Sequence, residues 1–79
     1  MKDPIDELTL VLLYLTSFKE DIGLGEVHRS WKGYPFESLN ELSENDFIHD
    51  SKRSKSVYLT EKGIEIAKEL MKKYNIIEQ

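Results

Sequence analysis

The sequence predicts an α+β fold in the order helix–helix–helix–β-hairpin–helix, and three observations between Pro35 and Asn75 predict it. Phe36, Leu39 and Leu42 recur every three residues, the spacing of one helical face. Two short runs rich in β-formers follow, from Phe47 to Asp50 and from Ser56 to Thr60, joined by the polar, basic stretch Ser51 to Lys55. That pattern reads as a hairpin. Thr60 then stands at an N-cap position with Glu61 in the first turn, and an amphipathic segment runs on to Tyr74. A helix, a hairpin and a helix within about 40 residues make the back half of a winged helix-turn-helix domain.

At 79 residues the chain is expected to be a single domain over residues 1–79. A chain of this size buries only about 60% of its unfolded surface. Charged residues make up 33% and hydrophobic residues 39%, the balance of a globular protein and not of a disordered one. There is no cysteine, so thiolate chemistry and a disulfide framework are excluded. The continuous apolar run from Leu10 to Leu15 is too short to span a bilayer. It follows Asp3, Asp6 and Glu7, the wrong charges for a signal peptide. The expected setting is cytoplasmic, with no membrane contact. The net charge of −4 counts against a free-standing DNA binder, which is usually basic.

The first helix opens at Asp3-Pro4. Asp3 suits the cap, Pro4 the first helical position, and Asp6 and Glu7 the positive end of the helix dipole. It is expected to run to about Phe18, with Ile5, Leu8, Val11, Leu12, Leu15 and Phe18 on its core face. Leu10, Leu13 and Tyr14 widen that face until little polar surface remains. A helix so broadly apolar in a small domain predicts a homodimer built on the first and last helices.

Lys19 to Gly25 is expected to be a loop. Gly23-x-Gly25 lacks the third glycine and the preceding strand of a phosphate-binding loop, and reads as a turn. Glu26 to Lys32 is expected to form a two-turn helix ended by Gly33, with Val27 and Trp31 facing the core and His28, Arg29 and Lys32 on another face. The next helix runs from Pro35 to Asn45-Asp46, and either of those two residues suits the left-handed conformation that closes a helix. In the hairpin, Val57 and Leu59 are expected to point inward and Tyr58 outward. In the last helix Ile66, Ala67, Leu70, Met71 and Tyr74 form an apolar stripe, followed by Ile76 and Ile77.

The stretch around the hairpin resembles MarR-type winged-helix regulators. That family shows a leucine-spaced recognition helix, a turn, a basic wing and an L-T-x-x-G helix start. These map to Leu39 and Leu42, Asp46-Phe47-Ile48, Lys52-Arg53-Ser54-Lys55 and Leu59-Thr60-Glu61-Lys62-Gly63. The resemblance covers about 25 residues and implies a winged-helix fold and duplex DNA as a partner. Asp46 stands where that family has glycine. The whole chain is similar to a small group of uncharacterised bacterial proteins with a domain of unknown function. Leu8 to Thr16, Arg29 to Tyr34 and Lys55 to Gly63 carry that similarity.

Candidate functional residues fall in three places. Lys52, Arg53 and Lys55 in the wing are candidates for phosphate contact, with Arg29 and Lys32 extending the strip if the second helix faces the same way. The same charges also serve to protect a sheet edge. Phe36, Leu39 and Leu42 cluster on one side of the helix and Glu37, Glu41 and Glu44 on the opposite side, so the recognition-helix face is acidic. That face suits a basic protein partner better than a wall of phosphates. Trp31, Tyr34 and Phe36 interleave with Arg29 and Lys32. The pattern serves either as a stacking platform for single strands or as core, and the burial energy of aromatics favours core. His28 and His49 sit in no metal-binding frame, and no catalytic set or cofactor motif is legible. The expectation is a non-enzymatic binding module: a DNA-associated regulator, or a protein-interaction domain using the acidic helix or the apolar helix faces.

Overall fold

Three helices and a four-stranded antiparallel sheet make up the fold, as seen in a computed structural model that describes residues 3–21, 23 and 25–77. In chain order they are α1 (Pro4–Leu15), β1 (Phe18–Asp21), β2 (Glu26–Trp31), α2 (Phe36–Glu44), β3 (Ile48–Asp50), β4 (Ser56–Leu59) and α3 (Glu61–Lys73). The strand order is β1-β2-β4-β3. The register aligns Lys19, His28, Leu59 and Ile48 in one row and Phe18, Arg29, Tyr58 and His49 in the next. Successive rows point to opposite faces. The first row and its alternates turn toward the helices, where Leu59, Ile48, Val57 and Ser30 are buried. Thr16 at the end of α1 meets Ser30 on that face, with their hydroxyls 3.0 Å apart. None of the described helices is long and apolar enough to cross a membrane.

The first and last helices begin with their expected caps. Asp3 Oδ1 accepts from the Ile5 amide at 2.9 Å, and Thr60 Oγ1 accepts from the Gly63 amide at 2.9 Å. The helix of the leucine repeat ends as expected too. Asp46 adopts φ 64°, the Phe47 amide donates to Leu42 O at 3.0 Å and the Asp46 amide to Ser43 O at 3.0 Å. These paired bonds satisfy the last carbonyls and turn the chain sharply into β3. The same closure recurs at Asn75, with φ 57° and an Ile76 amide that donates to Met71 O at 2.8 Å. It folds Ile76 back onto the core. Leu39, Leu42, Val57, Leu59, Ala67, Leu70 and Met71 are buried as their spacing predicts.

Several expectations are corrected. Glu26 to Lys32 forms no second helix; residues 26–31 are the central strand β2, bonded to β1 and β4. Val27 and Trp31 are four apart, which is one turn of a helix but also two pleats of a strand, and pairing on both sides decides for the strand. The first helix stops at Leu15; Phe18, expected on that helix, opens β1, which runs to Asp21 through the start of the expected loop. The Gly23-x-Gly25 turn joins β1 to β2 with both glycines at positive φ, and its middle residue lies outside the described residues. The helix order therefore has a hairpin where a second helix was expected. The phase of α1 is also rotated. Leu10 and Leu13 are fully buried, while Ile5, Leu8, Leu12 and Leu15 are exposed, Leu12 by 44%. Trp31 is 60% and Phe36 78% exposed, so neither is core.

Glu7 explains the phase of α1. It is almost fully buried and accepts from Tyr74 Oη at 2.6 Å and from Lys73 Nζ at 2.9 and 3.0 Å. The hydrogen bond from Tyr74, followed by that from Lys73, holds the Glu7 carboxyl below its ordinary value; the same contacts hold Lys73 and Tyr74 above theirs. A charge placed there must face α3, which turns Leu8 and Leu12 outward.

Two outcomes test this account. Gly63→Ala would place a Cβ 2.0 Å from Phe47 O, while Gly33→Ala meets nothing within 4 Å. The first variant loses about 2 kcal/mol or more in urea unfolding and the second stays near wild type; equal stabilities contradict the close approach. For Glu7, the folded state binds the carboxyl proton more weakly than the unfolded chain does. Its contribution is full above the unfolded carboxyl value of about 4.3 and is lost as pH falls through the lower folded value. The stability gap between wild type and Glu7→Gln seen at neutral pH closes below about pH 4. A gap unchanged in acid contradicts the buried ion pair.

Candidate functional site

The segment between β2 and α2 borders a concavity lined by Lys32, Lys52 and Lys55. The Lys32 amide donates to Lys55 O at 2.9 Å, which extends the β2–β4 pairing one residue past Trp31. This brings Lys32 beside the β3–β4 turn. Its ammonium donates to Ser51 O at 2.7 Å and pairs with the Asp50 carboxylate, both side chains being largely buried. Gly33 and Tyr34 then carry the chain across, Tyr34 packing against the core. Pro35 at φ −56° and ψ 135° starts α2, and no side chain caps its first turn. Phe36 is left projecting from that turn.

Serines hold the β3–β4 turn. The Ser54 amide donates to Ser51 O at 3.1 Å, the Ser56 amide to Ser54 Oγ at 3.2 Å, and the Ser54 and Ser56 hydroxyls lie 3.1 Å apart. Small polar side chains satisfy the turn locally, and Lys52, Arg53 and Lys55 stand exposed around it.

Two adjoining hollows open between this turn and α2, of about 490 and 500 Å³. Lys32, Phe36 and Lys52 line both. Gly33, Tyr34, Leu39, Ser54 and Lys55 complete one; Asn40, Ser43 and Asp50 complete the other. Together they form a groove, with Lys32, Phe36 and Lys52 shared between its two parts.

Of the five basic residues singled out by sequence, the fold gathers Lys32, Lys52 and Lys55 at this groove and leaves Arg53 on the turn beside it. Arg29 goes elsewhere. Its guanidinium donates to Glu20 Oε2 at 2.7 Å and to Ser56 Oγ at 2.6 Å, and lies 5.2 Å from the centre of the Tyr58 ring. The bond to Glu20 holds its pKa above the usual arginine value, so it stays a committed cation on the outer sheet face. The acidic residues are also divided. Glu37 and Glu44 are exposed, while Glu41 is half-buried and accepts from Asn45 Nδ2 at 3.2 Å. The sequence placed Tyr34 and Phe36 in the core, which holds for Tyr34 and fails for Phe36, and it gave no signal for Asn40 and Ser43. The signal for the aromatics was their interleaving with Lys32.

A larger hollow of about 630 Å³ lies at the far end of the sheet, lined among others by His28, His49, Tyr58 and Glu61. Its histidines do not converge. The register puts them on opposite faces, and His28 is engaged by the Tyr14 ring at 6.1 Å and by Ser17 Oγ, 3.2 Å from its Nδ1. Among the described residues no group of three or more His, Cys, Asp or Glu is placed to hold a metal.

The chain belongs to the family described as a domain of unknown function, DUF6429, which matches residues 1–77. No curated protein and no solved structure matches it.

Proposed function

We propose that this domain is a non-enzymatic binding module that associates with nucleic acid through phosphate contacts from the β3–β4 turn. The observation that carries the reading is that Lys52 and Lys55 line one groove with Arg53 beside it; Lys32, which also lines it, is already paired with Asp50. The order α2, hairpin, α3 supports a winged-helix-like use in which this turn is the wing. The acidic face of α2 sets the limit. Glu37 and Glu44 oppose insertion of that helix into a major groove, so the wing and not the helix makes the contacts. The alternative, a basic protein partner on Glu37, Glu41 and Glu44, draws on the same acidic stripe.

The module acts as a homodimer. Ile5, Leu8, Leu12 and Leu15 are spaced by three, four and three residues, all are exposed, and no charge interrupts the seam. That is the spacing along which two helices pair, and a second α1 related by a twofold axis presents the complementary strip. The dimer face is thus the outer side of α1, and not the Leu10 and Leu13 side or the last helix that the sequence suggested.

Both readings have direct tests. In fluorescence anisotropy, wild type binds labelled DNA with a dissociation constant of about 10⁻⁴ to 10⁻⁶ M, with a slope of about −2 to −3 in log affinity against log salt. Lys52→Ala/Lys55→Ala removes the binding. Retained binding in the double variant rejects the groove; loss on Glu37→Gln/Glu44→Gln, in place of a gain, rejects the charge argument. In sedimentation, wild type runs above the 9.3 kDa chain mass, and Leu8→Asp/Leu12→Asp runs as a folded monomer. A wild-type monomer at every concentration rejects the dimer.

A further inference from the structure

We infer that the groove between α2 and the β3–β4 turn selects single-stranded over duplex nucleic acid, with Phe36 as the stacking platform for an unpaired base. The inference deepens the phosphate-binding reading and rests on it. Phe36 is 78% exposed at the first position of α2, in a groove that Lys32, Lys52 and Lys55 also line. A phenyl ring left in water forgoes the burial that aromatics otherwise contribute, and Leu39 and Leu42 already fill the core beneath this helix.

The shape of the groove assigns a role to each wall. Lys52 and Lys55 come from the turn and Phe36 from the helix, so a strand lying between them sets its phosphates against ammonium groups and one base against the ring. Asp50 lines the adjoining hollow, and it and Lys32 neutralise one another, which leaves Lys52 and Lys55, among the described residues, as the free cations of the groove. Glu37 follows Phe36 and repels a backbone running up α2, which directs the strand along the turn. Lysines are suited to this, since they act as point charges that follow a phosphate chain without demanding one planar geometry.

Other anionic partners use only part of this surface. Duplex bases are stacked on one another and offer the ring no free face inside the helix, so a duplex engages the lysines alone. An acidic peptide supplies charge without flat faces. A single strand meets the cations and the ring together, which is the combination of a sequence-tolerant single-strand groove.

Anisotropy titrations at low salt compare labelled oligothymidylate of about a dozen nucleotides with a duplex of equal length, using the full chain and its Phe36→Ala and Phe36→Tyr variants. The expected result is that wild type binds the single strand roughly tenfold or more tightly than the duplex. Phe36→Ala removes that margin without changing duplex affinity, and Phe36→Tyr keeps it. Because the side chain is exposed, both variants are expected to retain the wild-type melting curve. Equal affinity for the two DNAs, or a margin that survives Phe36→Ala, overturns the single-strand inference while duplex binding through Lys52 and Lys55 stands. Binding of neither DNA overturns both. Competition by a polyglutamate peptide as effective as that by oligothymidylate also overturns it, in favour of an acidic protein partner.

Discussion

The contact between the first turn of α3 and the backbone at Phe47 holds this fold together. Phe47 O accepts from the Thr60 amide at 3.0 Å, Asp46 O accepts from Thr60 Oγ1 at 2.7 Å, and Thr60 Oγ1 in turn accepts from the Gly63 amide. The missing side chain of Gly63 lets the helix approach that carbonyl. One residue thereby caps a helix, closes the β3–β4 hairpin and ties both to the end of α2. Asp46 accepts the left-handed conformation this demands, at a backbone cost that glycine would avoid.

From that junction the remaining geometry follows. The hairpin leaves it at a fixed angle, and its far end carries the lysines. The same junction fixes the C-terminal end of α2, so the helix N-terminus and Phe36 are held opposite the turn. At the other end of the domain, Glu7 with Lys73 and Tyr74 clasps α1 to α3. The basic groove and the apolar outer side of α1 are consequences of two anchor points at separate places in the fold.

The anchors were unequally legible in the sequence. Thr60 and Gly63 carry a local signature, and the leucine spacing of α2 phases that helix correctly, because both signals are complete within a few residues. The β1–β2 hairpin was not legible. Val27 and Trp31 satisfy helical and strand periods alike, and the bonds that choose between them come from β4, more than twenty positions later. The α1 phase was hidden for a similar reason. Its leucines surround the axis, and the residue that orients them, Glu7, finds its partners 66 and 67 positions away. For the candidate site, the lysines of the β3–β4 turn were visible as a charge cluster. Phe36 was misread because its three-residue spacing with Leu39 and Leu42 mimics a core position. A helix turns 100° per residue, so a repeat of strict threes drifts round the axis, and the first member of this one has drifted out of the core.

The central claim is that the groove between the start of α2 and the β3–β4 turn is the ligand-binding surface. Amide chemical-shift mapping of the isotopically labelled chain, titrated with oligothymidylate, tests it most directly. The account predicts that the shifted amides cluster at residues 32–37 and 51–55, with the outer side of α1 and the pocket around His28 and His49 unmoved. Shifts centred on Glu41 to Glu44, on α1 or on the far pocket, or no shifts at all at low salt, would contradict it.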